Sequence, residues 1–195
     1  MSKSRLEAFS DGVIAIIITI MVLELRPPEG VELGDLSHLA PTFGIYALSF
    51  ALLGTYWANH HHLFHTARIV NGVVLWANLH LLFWLSLVPF GTAWVGDSGF
   101  APIPVAAYGV LMLLAAIAYY GVVRALIACP GQPAVLAELV GRDVKGKVSP
   151  VLFAVAIPIA LVAPWLALAI YGVVVVLWVV PDRRMERALQ VEQRG

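Results

Sequence analysis

Three sets of residues could do chemistry in a chain otherwise dominated by aliphatic side chains. Arg5, Phe9, Ser10 and Asp11 stand at the entry to an apolar run that begins at Gly12, contains Thr19 and reaches Glu24. An ionised group in hydrocarbon costs about 2.5–3.5 kcal/mol on insertion scales, so it usually faces protein or water and marks function. On a wheel of 100° per residue, Gly12, Ile16, Thr19 and Leu23 fall within about 60° of one another. In a symmetric oligomer such helices around an axis would stack rings of isoleucine, threonine and leucine. Bulky rings gate by dewetting, and a hydroxyl ring can replace part of an ion's water shell. Ordinary helix packing with one satisfied threonine explains the same periodicity. Asp11 lies about 100° from Gly12, to the side of the stripe. The third set is Asn59, His60, His61, His62 and His65. His61 and His65 are four apart and could share a face for a metal or a pH-sensitive element, but no cysteine or acid nearby completes a ligand set. The same spacing arises easily at a cytoplasmic helix end, where histidine is well solvated.

The elements that must position these groups follow from composition. The chain of 195 residues is 61% hydrophobic and 12% charged, against about 25% charged for a soluble domain. This predicts one all-α integral membrane domain over residues 1–195. Apolar runs place six spans at about 6–25, 40–64, 72–95, 103–127, 148–163 and 165–181. The first four approach or exceed the roughly 20 residues that cross the hydrocarbon core. Residues 148–181 as one helix would run about 50 Å, too long for the bilayer, and Pro158 and Pro164 break the segment. The first span resembles a signal peptide in position. However, Asp11 interrupts its approach, and no small-residue cleavage site follows, so it reads as retained.

Charge supports six spans. With a cytoplasmic N-terminus, the inner segments hold eleven of the twelve basic residues and the outer ones only Arg26, a positive-inside pattern with both termini cytoplasmic. Residues 26–39 form an acidic outer loop with Glu29, Glu32 and Asp35. Residues 128–147 form an inner loop, basic at Arg142, Lys145 and Lys147. Glu24 beside the acidic loop would draw cations to an outer mouth, or it is simply a solvated helix end. Cys129 is the single cysteine, which excludes an internal disulfide.

The pattern Arg5-x-x-x-Phe9-Ser10-Asp11, followed by Gly12-Val13-x-Ala15-Ile16-x-x-Thr19 and then Val22-Leu23-Glu24-Leu25, resembles the transmembrane protein 175 family of potassium channels. Tyr56-Trp57 with Asn59-His60-His61-His62 and Phe64 resembles that family's second span. Asn78, Pro89-Phe90 and Thr92 resemble its third. The motifs cover the first half of the chain, and hydropathy covers the rest. The resemblance implies a prokaryotic channel in the cell (inner) membrane, equivalent to half of the two-repeat animal protein. It implies six helices per subunit, a homotetramer, and a first helix lining the central pore, with constrictions at Ile16, Thr19 and Leu23 and Ile20 bordering the same face. Potassium is then the permeant ion and no cofactor is needed. No T-V-G-Y-G loop is present, so selection would rest on side chains. Arg5, Phe9, Ser10 and Asp11 become a structural polar network, with His60, His61, Asn78 and His80 as candidate partners.

Two functions from different classes remain: a passive, potassium-preferring channel, and a proton-coupled transporter or proton conductor using Asp11 and the intramembrane histidines. No nucleophile–base pair or metal motif of convincing spacing points to an enzyme, and a formal net charge of zero gives no reason to expect a nucleic-acid partner.

Overall fold

The structure, a computed structural model, describes residues 2–28, 30–132 and 144–179. Glu29, Arg142, the arginines after residue 180 and the last two residues of the sixth expected span lie outside them. All regular elements among the described residues are helical: α1 (Lys3–Ile20), a 3₁₀ turn (Met21–Glu24), α2 (Leu33–Ser37), α3 (Ala40–Thr66), α4 (Gly72–Ser86), α5 (Val88–Asp97), α6 (Pro102–Ile127), α7 (Val144–Ala160) and α8 (Pro164–Val179).

Local chemistry explains most boundaries. Asn71 caps α4 by accepting from the Val74 amide at 3.0 Å, satisfying an otherwise orphaned donor. Prolines in the first turns of α3, α5 and α6 occupy positions whose amides have no helical acceptor. α7 continues past Pro158, and the chain breaks at residues 161–163 before Pro164 opens α8. The break expected between the last two spans therefore belongs to Pro164, while Pro158 is held in the final turn.

The third span departs from one straight helix. Pro89 has no amide to donate to Leu85 and its ring crowds that carbonyl. Leu87 instead turns its amide back to the Trp84 carbonyl at 3.2 Å, and α5 restarts at Val88. Taken together, Gly72–Asp97 is one of three stretches among the described residues that are long and apolar enough to cross a membrane; Lys3–Glu24 and Pro102–Ile127 are the others, by length and composition. α3 has 27 residues, or about 40 Å of helix. α8 is apolar and shorter.

α6 is the central element, packing against α4, α5, α7 and α8. α3 touches α1, α5 and α8, and α1 lies against α3, α4 and α5. The core is filled by large buried rings and aliphatics, including Tyr108, Tyr171, Phe153 and Phe64. Gly109 permits a close approach of α6 and α8: a methyl there would collide with the Tyr171 hydroxyl, which donates to the Val105 carbonyl at 3.2 Å.

Candidate functional site

α1 has two faces. Leu6, Ser10, Ile14, Ile17 and Met21 are buried against the rest of the chain. On the wheel Gly12, Ile16 and Thr19 of the stripe lie nearly opposite, and Leu23 follows in the next turn. All four are exposed, as is Ile20, with Ile16 58% and Leu23 76% accessible. Thr19 donates its hydroxyl hydrogen to the Ile16 carbonyl at 3.0 Å. A hydroxyl has one hydrogen, so its oxygen presents lone pairs outward.

The last turn of α1 tightens. Met21–Glu24 is a 3₁₀ turn, in which each residue advances about 120° rather than about 100°. Three such steps from Ile20 carry Leu23 about 60° beyond the place an unbroken α-helix would give it. Glu24 ends this turn and is exposed.

The inner end of α1 is fastened by side chains distant in sequence. Ser10 donates to the Leu6 carbonyl at 2.8 Å and accepts from Asn78 Nδ2 at 2.9 Å. With its amide nitrogen so engaged, Asn78 turns Oδ1 to His60 Nε2 at 2.8 Å. An amide oxygen only accepts, so His60 donates from Nε2. Its Nδ1 is buried without a hydrogen-bond partner among the described residues, and its ring stacks on Phe64. One chain of contacts thus joins α1, α4 and α3.

The other candidate residues divide differently. Asp11 accepts from Trp57 Nε1 at 3.1 Å, and Trp57 stacks on His61. Among the described residues His61 is therefore joined to Asp11 through that indole. His80 is exposed and takes the Trp84 Nε1 hydrogen at 2.8 Å, away from the Ser10 chain. Arg5 and Phe9 are exposed, and Arg5 makes no hydrogen bond or ion pair among the described residues. The His61 and His65 rings lie 6.2 Å apart, and among the described residues no three His, Cys, Asp or Glu side chains converge on a metal site.

Two supports were not read from the sequence. Lys3 Nζ donates to the carbonyls of Ala67 at 2.8 Å and His65 at 3.2 Å, closing the C-terminus of α3 with a positive charge where the helix dipole favours one. A basic residue near the start of a span was the available signal, though nothing local named its acceptors. The second is a buried set of hydroxyls. Thr92 donates to Ser49 at 2.7 Å and shares that hydrogen with the Val88 carbonyl at 2.8 Å. Ser49 also bonds Tyr108 at 2.9 Å.

The family described as "Endosomal/lysosomal potassium channel TMEM175" matches residues 5–89. A potassium channel of Chryseobacterium sp. (strain P1-3) is 48% identical over 190 residues, which cover 97% of this chain and 99% of that protein. The human endosomal/lysosomal proton channel TMEM175 is 36% identical over 96 residues, 43% of this chain and 19% of the human one. Among solved structures, the crystal structure of a lysosomal potassium-selective channel TMEM175 homolog from Chamaesiphon minutus superposes with a TM-score of 0.80 at 27% identity. That superposition covers 91% of this chain and 96% of that one.

Proposed function

The chain belongs to the TMEM175 family of channels, and on that premise we propose that it is a passive, potassium-preferring cation channel. Four copies surround one axis, six spans per copy, in the inner membrane of a prokaryote with both termini cytoplasmic. The first helix lines the pore. Ile16 and Leu23 form hydrophobic constrictions with Ile20 beside them. Gly12 leaves the inner approach wide, and Thr19 contributes a ring of hydroxyl oxygens. Arg5, Phe9, Ser10 and Asp11 belong to the scaffold, and Glu24 draws cations to the outer mouth.

The observation that carries this reading is the exposed face of α1. Gly12, Ile16, Thr19 and Leu23 are left uncovered by their own subunit. Relatives named potassium channels supply the ion. Potassium stripped of part of its hydration at Thr19 would meet few oxygens, so the expected preference over sodium is modest.

Purified protein in planar bilayers should give single-channel currents. Ile16→Ala or Leu23→Ala should raise unitary conductance several-fold by widening a dewetting constriction. Flux that saturates at low turnover, without unitary steps, would overturn the channel. A second reading, proton conduction, takes support from the animal relatives named proton channels and from partly exposed Asp11. Reversal potentials under a proton gradient at symmetric potassium separate the two.

A further inference from the structure

Thr92 lies on α5, away from the stripe, yet its connections lead to the outer end of α1. The break at Leu87 divides the third span into two parts that pack on different parts of the first. α4 reaches the inner half of α1 through the Asn78–Ser10 bond. α5 packs against the 3₁₀ turn Met21–Glu24. Pro89 removes the hydrogen bond that would make α4 and α5 one rigid rod. The position of α5 is therefore set mainly by what else it touches.

Those contacts are tight and polar. Gly91 lets the backbone of α5 approach the Tyr108 ring on α6, and Gly96 does the same against Thr42 on α3; a Cβ at these sites would lie 3.3 Å and 2.9 Å from those side chains. Thr92 is 4% exposed and bonds Ser49 of α3, which bonds Tyr108 of α6. In a buried setting a hydroxyl without a partner carries a desolvation penalty, so this set holds one arrangement.

We propose that Thr92, through Ser49 and Tyr108, is a positioning residue for the outer constriction: it seats α5 behind the 3₁₀ turn and so sets the direction of Leu23 independently of Ile16 and Thr19. This rests on the reading of α1 as the pore helix. Conversion to α-helix would swing Leu23 back by about 60°, into line with Ile16 and Thr19. Met21 is buried and anchors the turn, whereas Val22, Leu23 and Glu24 are exposed. A displacement of α5 thus acts on a segment with one anchor.

The test is a double-mutant cycle on single-channel records. Thr92→Val keeps the shape and removes the hydroxyl, and it should change open probability at least threefold. Thr92→Ser should restore the parental value. In a Leu23→Ala background the effect of Thr92→Val should vanish, because no bulky side chain remains to be aimed. In an Ile16→Ala background it should persist undiminished. Equal effects in the two backgrounds, or no effect in either, would overturn the assignment and leave the pore reading standing. If Leu23→Ala and Ile16→Ala each leave conductance at the parental value, the pore reading itself fails and this inference falls with it. Should Thr92→Val not assemble, Tyr108→Phe enters the same cycle, since it removes the far hydroxyl and keeps the ring against Gly91.

Discussion

Asn78 connects three helices with a single amide. Its nitrogen donates to Ser10 on α1 and its oxygen accepts from His60 on α3, at a site that is completely buried. Asn78→Leu would leave the His60 donor and the Ser10 oxygen without their partner, a loss of about 1–3 kcal/mol for each unsatisfied buried group. Thermal unfolding in detergent should fall by several degrees while the potassium–sodium reversal potential of any surviving channels stays unchanged. Thr19 predicts the converse. Its hydroxyl is exposed and, among the described residues, bonded only to its own helix, so Thr19→Ala should leave unfolding unaltered and lower the potassium-over-sodium permeability ratio several-fold. An unchanged reversal potential would count against the threonine ring. The importance of Ser10 and Asn78 was legible because polar groups in an apolar span need partners. That Asp11 turns to Trp57 and His80 to Trp84 was not, since every one of these residues had several partners of suitable chemistry.

Among the elements, α1 was the most legible. Its burial alternates with helical period, so one wheel separates the face that packs from the face that does not. The third span was less so. A hydropathy average over residues 72–95 does not register one missing amide hydrogen, and Pro89 marks the break only once the helix is built around it. The 3₁₀ turn left no local signature in Met21–Glu24, whose residues suit an α-helix as well. α3 carries a further prediction at this scale. Its final carbonyls are closed by Lys3 from α1, a charge at a helix C-terminus worth about 0.3–1 kcal/mol. Lys3→Met should speed amide hydrogen exchange in the last turn of α3 several-fold without changing exchange at the middle of α6. Uniform protection across both would argue that the lysine contributes nothing there.

At the scale of the whole molecule, the proposed tetramer would let the stripe on α1 meet copies of itself rather than lipid. The detergent-solubilised particle should therefore have a protein mass of four chains by light scattering, and a monomer that still conducts would refute that arrangement. Sequence by itself determined the class of the protein, its long apolar helices and which face of α1 its own subunit leaves exposed. Each of these depends on hydropathy and period within about twenty residues, and nothing distant has to be known. Only the tertiary structure decided which polar groups pair. Ser10 and Asn78 are 68 positions apart and Lys3 and Ala67 are 64. Such contacts arise from the way helices are brought together, and many pairings were chemically equivalent until the packing chose among them.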